Sequence, residues 1–182
     1  MIDDVRIRRV SVETIVPLSG LARHLGMRPV GVFRDEAPSV VADISRRLDL
    51  HAVQLHGRED IEYIAALRRR LPAPCEIWTA VGVGRSVPER DGGDRPLFDN
   101  GPGGTGRTFD WHLIEGHQRL GSALVAGGIG VHNARQAMRL GAYAIDVGSR
   151  VESAPGIKSA DKIRSLFDAL RPTCRRELRA CA

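Results

Sequence analysis

The chain has 182 residues, 42% of them hydrophobic, and a formal net charge of +5. This length allows one domain with a sizeable core, and the apolar content argues against a disordered chain. No run of about 18 apolar residues occurs, so the sequence predicts no membrane-spanning helix. The acidic start, Met-Ile-Asp-Asp, lacks the apolar stretch of a secretory signal, and we expect a cytoplasmic protein.

The composition also disfavours nucleic acid, metals and disulfides. Aromatic residues make up only 4% of the chain, and no basic stretch is interleaved with stacking side chains, so we expect no nucleic-acid partner. Cys75, Cys174 and Cys181 form neither an even disulfide framework nor a close metal-ligand pair. The histidines show no metal-ligand spacing either, and we assign no metal.

Along the chain, short apolar runs alternate with segments of helical spacing. The runs are rich in Val, Ile, Leu or Phe without strict alternation, which is typical of strands buried on both faces of a parallel sheet. They are Pro29–Phe33, Ala52–His56, Glu76–Val81, Pro96–Asn100, Ala123–Gly128 and Ala144–Gly148.

Helices are predicted in four of the remaining segments from apolar residues at helical spacing. These residues are Val40, Ile44 and Leu48; Ile61, Ile64 and Leu67, with Asp60 as N-cap; Ala134, Ala137, Met138 and Gly141, in a helix beginning near Val131; and Ile163, Leu166 and Phe167 after Asp161. The stretch from Gly82 to Arg95 is rich in Gly, Arg and Asp and predicts a loop with at most a short helix.

This strand–helix alternation fits either a doubly wound open sheet or a (β/α)8 barrel. A dinucleotide-binding open sheet carries a glycine fingerprint after its first strand, and "VGVFRDEAP" has none. Glycines cluster instead after later strands, at Gly103–Gly106, Gly127-Gly128 and Gly148. Bare backbone N–H groups in such loops can approach a phosphate closely, which favours the barrel.

Chemistry-bearing residues follow several of the predicted strands. Asp99 is either a general acid at the catalytic edge, where burial can raise its pKa, or a solvated turn residue. His56 ends the second strand with Gln54 on the same side, although a lone His there is more often structural. In "FDW", Asp110 is expected to cap the next helix while its two aromatic neighbours pack beneath it.

Taken together, "VGVFRD", "AVQLHGRED", "LFDNGPGGTGRTFDW", "LVAGGIGVHNARQA" and "IDVGSRVESAPGIKSADKI" resemble phosphoribosylanthranilate isomerase over roughly Arg8 to Leu170. The likeness is greatest to the isomerase half of the bifunctional form fused to indole-glycerol-phosphate synthase. It implies a (β/α)8 barrel and an Amadori rearrangement of N-(5′-phosphoribosyl)anthranilate in tryptophan biosynthesis, without metal or redox cofactor.

The resemblance also implies residue roles. Asp99 matches the general acid that protonates the ribose ring oxygen. Residues that match the family's substrate contacts are Gly127, Gly128, Gly148 and Ser149 for the phosphate, His56 and Asp146 for the pocket wall, and Arg8 for the anthranilate carboxylate. Two departures are Arg150, where the family usually has a small residue, and Ser159, which replaces a usual Asp.

A larger departure lies at the start of the chain. The family opens with a "VKICG"-like strand whose cysteine is the general base, and this chain begins after that point of the pattern. We therefore expect an N-terminally truncated barrel with about six of the eight strands in residues 1–170, a basic tail in 171–182, and little turnover by the chain alone. The open edge is expected to favour self-association, and the alternative is an inactive phosphate-binding partial barrel or a subunit completed by another chain.

Overall fold

The computed structural model describes residues 10–100 and 108–171. In these residues six strands form one parallel sheet whose spatial order is the order of the chain. They are β1 (Val30–Phe33), β2 (Ala52–Leu55), β3 (Glu76–Gly82), β4 (Arg95–Asp99), β5 (Leu124–Val125) and β6 (Ala144–Ile145). An open doubly wound sheet reverses its strand order at a switch point, whereas a barrel wall does not. The order therefore selects the barrel-type arrangement, and the prediction of six strands is confirmed.

The last two strands are shorter than predicted. Both contain only two residues, because the chain leaves the sheet soon after its pairing with the preceding strand. The N–H of Ala126 still donates to the Phe98 carbonyl, and the N–H of Asp146 still donates to the Val125 carbonyl. Beyond Ala126 the backbone turns at Gly127, where φ is 83°.

Five α-helices lie in the described part of the chain. They are α1 (Val12–His24), α2 (Pro38–Leu48), α3 (Ile61–Arg68), α4 (Ala134–Arg139) and α5 (Ala160–Leu170). The Asp60 carboxylate accepts the N–H of Tyr63 at 2.8 Å, which confirms it as the N-cap of α3. No helix interrupts residues 83–94, as expected for this loop. None of the described helices is long and apolar enough to cross a membrane.

Helix α1 was not predicted from the sequence. Ser19 is its buried residue, and the Ser19 hydroxyl donates to the Leu48 carbonyl at 2.6 Å. The Arg23 guanidinium donates to the same carbonyl at 2.7 Å. Val12 and Ile15 pack against the core cluster that includes residues of α2, whereas Leu18 and Leu21 are exposed, so the apolar residues of α1 are not confined to the inward face.

Each of the four predicted apolar faces has buried members but also includes a large apolar residue that is exposed. The exposed residues are Val40, Ile61, Met138 and Phe167. In α2 the buried positions include Val41, Ser45 and Leu48. Adjacent residues on a helix differ by about 100°, so the choice of buried neighbour depends on where the sheet lies rather than on hydrophobicity alone.

The core has an outer layer between the sheet and the helices and an inner layer on the other sheet face. The inner layer includes Trp78, Leu97 and Leu124 from three neighbouring strands. Because alternate residues of a strand face opposite sides, Asp99 at the end of β4 lies on the same side as Leu97. This alternation directs the ends of the strands toward one concave surface.

After β6 the chain forms a 3₁₀ helix, Ser149–Val151, and then an antiparallel hairpin of β7 (Glu152–Ala154) and β8 (Ile157–Lys158). The hairpin was not predicted. Ser159 follows it and caps α5, with its hydroxyl accepting the N–H of Lys162 at 3.3 Å. The hairpin matters for the site because it places Lys158 beside the turn that leaves β6.

Candidate active site

Three ionisable side chains lie at the carboxyl edge of the sheet. Asp99 is the last residue of β4, His56 directly follows β2 and Asp146 directly follows β6. The strands are parallel, so these ends share one edge. The negative charges of Asp99 and Asp146 both act on His56, and Asp99 acts on Asp146 as well. The structure therefore brings the three residues into one electrostatically coupled group.

Asp99 is only 8% exposed, which contradicts its interpretation as a solvated turn residue. Its carboxylate oxygen Oδ1 accepts the N–H of Asn100 at 2.7 Å. Its carbonyl accepts the N–H of Val83 at 2.8 Å, which ties the end of β4 to the residue after β3. The carboxylate is thus held at a defined place on the concave surface.

Gln54 connects the other two members of the group. Its side-chain nitrogen lies 2.5 Å from His56 Nε2, and it also hydrogen-bonds the Asp146 carboxylate. An amide nitrogen can only donate, so Nε2 of His56 is the acceptor in this arrangement. The buried amide therefore orients a histidine and a carboxylate toward the same space.

Burial shifts the pKa values of His56 and Asp146 in the directions that favour their neutral forms. The pKa of His56 is lowered, chiefly by desolvation, although the charges of Asp146 and Asp99 oppose this shift. The pKa of Asp146 is raised, again chiefly by desolvation, with His56 opposing and Asp99 reinforcing the shift. Asp146 as a whole residue is half-buried, yet its carboxyl group lies among protein atoms. Shifts of this kind are typical of functional sites.

Two glycine turns lie at the same edge, after β5 and after β6. Gly127 and Gly128 have φ values of 83° and 63°, in the left-handed region that favours glycine. A Cβ on Gly130 would lie 2.9 Å from the Cβ of Arg150, so the two turns are in contact. Arg150 packs against Gly130 in this way, and the tight fit leaves no room for a side chain at position 130.

The predicted start of the helix after β5 was wrong. The helix α4 begins at Ala134, three residues after Val131. Asn133 causes the delay, because its side chain accepts the N–H of Gly130 at 2.8 Å and donates to the Gly128 carbonyl at 3.3 Å. The turn is therefore shaped by an asparagine rather than by the first turn of a helix.

Lys158 is a charged residue at this edge that the sequence analysis did not single out. Its ammonium group donates to the Gly148 carbonyl at 2.9 Å and to the Glu152 carboxylate at 2.9 Å. Its charge lowers the pKa of Asp146, against the larger effect of burial. Lys158 is the last residue of the "VESAPGIK" motif, but its contact with Gly148 becomes apparent only from the β7–β8 hairpin.

Several sequence predictions concern residues elsewhere. Arg8, the glycine cluster at 103–106, Cys174 and Cys181 lie outside the described residues. Cys75 lies just before β3, at the opposite edge from Asp99, and burial raises its pKa to about 11. Phe109 and Trp111 are buried, and Asp110 caps the 3₁₀ helix Trp111–Leu113, as predicted. Within residues 10–100 and 108–171, no cluster of His, Cys, Asp or Glu is suited to hold a metal ion.

Parallel strands in chain order, with acids and glycine turns at their carboxyl edge, define a barrel-type α/β protein with a site of enzymatic character. A family model described as N-(5′-phosphoribosyl)anthranilate (PRA) isomerase matches residues 4–169. The chain therefore belongs to the PRA isomerase family.

Individual relatives agree with this assignment. The tryptophan biosynthesis protein TrpCF of Yersinia pestis is 48% identical over 147 residues, covering 80% of this chain and 31% of that protein. The phosphoribosyl anthranilate isomerase of Thermus thermophilus has a TM-score of 0.76 at 32% identity, covering 89% of this chain and 80% of that one. A phosphoribosyl anthranilate isomerase in complex with reduced 1-(o-carboxyphenylamino)-1-deoxyribulose 5-phosphate has a TM-score of 0.68 at 28% identity, covering 90% and 80%. The chain thus spans less than a third of the length of the TrpCF relative.

Proposed function

We propose that the chain carries the PRA isomerase activity of its family, in the tryptophan pathway of the cytoplasm. The reaction converts N-(5′-phosphoribosyl)anthranilate to 1-(2-carboxyphenylamino)-1-deoxyribulose 5-phosphate. The observation that carries the proposal is the buried carboxylate of Asp99 at the carboxyl end of β4, inside the family motif "LFDNGPGGTG". The substrate named in this proposal is that of the family to which the chain belongs.

In this proposal Asp99 donates a proton to the ribose ring oxygen as the C1′–O bond breaks and an iminium forms. A base then removes the proton from C2′, and the resulting enolamine becomes the ketone, so the reaction is a net isomerisation. The family resemblance gives the base to a cysteine on a first strand. Cys75 is not that base, because it lies at the opposite edge and its pKa is about 11.

The pocket wall is proposed to consist of His56 and Asp146, with Gln54 orienting both. Burial disfavours the charged form of both side chains, and both can hydrogen-bond with the ribose hydroxyls. Arg8 is proposed to pair with the anthranilate carboxylate, because a guanidinium binds a carboxylate through two parallel hydrogen bonds. Its support is its position in the sequence motif.

We place the substrate phosphate between Gly127-Gly128 and Gly148-Ser149. The two turns touch each other at the carboxyl edge, and Gly127 and Gly128 adopt left-handed backbone conformations. A Cβ on Gly148 would meet no atom of the described residues within 4 Å, so packing among those residues does not explain the glycine there. A ligand that approaches the backbone closely would explain it.

The phosphate site can be tested by placing a charge at the turn. Asn and Asp have the same shape and both tolerate positive φ, so Gly128→Asn is the matched control for Gly128→Asp. Calorimetry with ribose 5-phosphate should show much weaker binding for the Asp variant than for the Asn variant. Equal affinity of the two variants would place the phosphate elsewhere.

We further propose that residues 1–170 form the barrel part and that copies of the chain associate through its open sheet. In the described residues β1 and β6 each pair with one neighbour only, and Val32 on β1 is 64% exposed. Unpaired strand edges beside apolar surface favour association. The alternative function is a catalytically inactive phosphate-binding partial barrel or a subunit completed by another chain, and the same edges support it.

Two measurements separate these possibilities. Light scattering at micromolar concentration should show a dimer or a larger species, and a clean monomer would remove the self-association claim. Steady-state turnover of N-(5′-phosphoribosyl)anthranilate tests the activity directly. Binding of the reduced product analogue without turnover would favour the completed-subunit alternative, and absence of both would reject the proposed function.

A further inference from the structure

Glu59 is a buried carboxylate that the proposed chemistry does not use. Its side chain is only 1% exposed. Oxygen Oε1 accepts the N–H of Asp35 at 2.8 Å, and Oε2 accepts the N–H of Gly57 at 2.8 Å. Asp35 belongs to the loop after β1 and Gly57 to the loop after β2, so one carboxylate holds two loops of the carboxyl edge together.

Arg90 adds the loop after β3 to this arrangement. Its guanidinium forms an ion pair with Glu59 Oε2 at 3.1 Å and donates to the Glu59 carbonyl at 2.9 Å. It also donates to the carbonyl of Ala80 at 2.5 Å and to that of Gly57 at 3.3 Å. A planar group with several donors can satisfy these acceptors at once, which a lysine cannot do.

The loops after β1 and β2 are in close contact. A Cβ on Gly57 would lie 2.4 Å from Asp35 Oδ1 and 2.7 Å from the Asp35 nitrogen. The Arg58 N–H donates to the same Oδ1 at 2.7 Å, and Asp35 has a φ of 53°. A non-glycine residue in the left-handed region persists when its surroundings hold it there. Glu59 is the buried acceptor that holds the Asp35 N–H.

This hydrogen-bond network fixes the backbone that directly follows His56. The His56 N–H donates to the Phe33 carbonyl at 2.9 Å, and the next N–H, that of Gly57, donates to Glu59. The peptide group between His56 and Gly57 is planar, so binding its N–H sets the direction in which the His56 Cα is presented. Gln54 then orients the ring.

We infer that Glu59 and Arg90 form a loop clamp whose function is to position His56 for the substrate. Both are positioning residues: they act through the backbone of Gly57 and Asp35 and touch no reacting atom in the proposed mechanism. The inference rests on the proposed function in taking His56 as part of the substrate pocket.

The loop clamp also contributes charge to His56. The charged groups that act on the imidazole are Asp146 after β6, Asp99 on β4, Arg34 after β1 and Glu59 itself. Of these, Glu59 raises the pKa of His56 and Arg34 lowers it. Removing the Glu59 charge should therefore lower the pKa of His56 further.

The experiment compares Glu59→Gln and Arg90→Lys with Glu13→Gln, an exposed member of an ion pair with Arg47. NMR titration of His56, assigned with His56→Asn, gives its pKa in each variant. Calorimetry with the reduced product analogue gives the dissociation constant. We expect Glu59→Gln to lower the pKa of His56, and both loop-clamp variants to weaken binding on the order of 10-fold to 100-fold, the scale of a misplaced contact. Glu13→Gln should match the wild type.

The inference fails if Glu59→Gln and Arg90→Lys fold with lower thermal stability but keep the wild-type His56 titration and affinity. If Glu59→Gln does not fold, Arg90→Lys decides, because it retains a cation beside Glu59: wild-type affinity together with unchanged amide shifts of His56 and Gly57 would overturn the loop clamp. Failure of the proposed function looks different. The wild type itself would then neither bind the analogue nor turn over substrate, while the response of the His56 titration would still be measurable.

Discussion

The two edges of the same sheet place charged side chains in different surroundings. At the amino edge Glu76 on β3 and Arg95 on β4 form an ion pair at 2.8 Å. The Trp78 indole N–H donates to Glu76 at 2.7 Å, and the Arg95 guanidinium lies 3.5 Å from the centre of the Tyr143 ring. At the carboxyl edge Asp99 and Asp146 bring two carboxylates into one group with His56.

The pKa directions express this difference. The pKa of Glu76 is lowered, with the hydrogen bond from Arg95 as the largest cause, so the folded protein favours the charged form. The pKa of Asp146 is raised by burial, so the folded protein disfavours its charged form. Glu76 at the amino edge is thus favoured in its charged form, whereas Asp146 at the carboxyl edge is not, and barrel proteins are known to divide stability and catalysis between these two edges in this way.

The largest expected effect that separates the edges is on turnover. If Asp99 is the general acid of the proposed mechanism, Asp99→Asn should lower kcat by about 10²–10⁴-fold, because an amide cannot donate the proton that this mechanism assigns to Asp99. Its melting temperature should stay near or above that of the wild type. Steady-state kinetics and thermal unfolding measure both, with the exposed Asp161→Asn as control. Wild-type turnover by Asp99→Asn would remove Asp99 from the mechanism.

At the amino edge the expected effect is on stability alone. Glu76→Gln should lower the free energy of unfolding by about 1–3 kcal/mol, the scale for hydrogen bonds to charged groups. Denaturant unfolding measures this loss, and KM should not change. The wild-type advantage should be full above pH 4.5 and disappear as pH falls through the depressed pKa of Glu76. A change in KM that corresponds to as large a free energy as the loss of stability would contradict the proposed division between the edges.

Asp146→Asn sharpens the comparison because it should stabilise. At neutral pH the charged Asp146 costs free energy in the folded state, and its removal should add about 0.5–2 kcal/mol, the range of typical stabilising substitutions. The folded pKa is raised, so the gap between variant and wild type should close as pH falls from that pKa toward 3.8. Denaturant unfolding at several pH values follows this gap, and a destabilised variant at pH 7 would contradict the argument.

The smallest expected effect concerns Lys158. Lys158→Met keeps the length of the side chain but loses its charge and its hydrogen bond to the Gly148 carbonyl. Because the group is half exposed, we expect only a several-fold weakening of ribose 5-phosphate binding, which corresponds to about 1 kcal/mol. Lys162→Met, on the next helix, is the comparison. Equal effects of the two variants would show that general positive charge, not the contact with Gly148, matters.

Much of the fold follows from local pattern. Six apolar runs predict the six strands, because a strand buried on both faces must be apolar throughout. Asp60 before an apolar helix predicts its own cap, since a carboxylate satisfies free N–H groups wherever a helix begins. Asp99 follows an apolar run directly, and this position alone predicts an acid at the carboxyl end of a strand.

The tertiary structure decides what depends on neighbours distant in sequence. Ser19 on α1 faces inward and donates to the Leu48 carbonyl, a partner 29 residues away that the sequence of the helix does not identify. Glu59 and Arg90 are 31 residues apart, and their ion pair exists only once the loops after β2 and β3 meet. The raised pKa of Asp146 likewise needs burial and the charge of Asp99. Sequence alone determined the six strands of the parallel sheet, four of the five described α-helices and the residue types that end the strands; it did not reveal α1 or the β7–β8 hairpin. Which charges are paired, buried or crowded was set by distances in space, since Coulomb energies and desolvation depend on separation and burial rather than on sequence order.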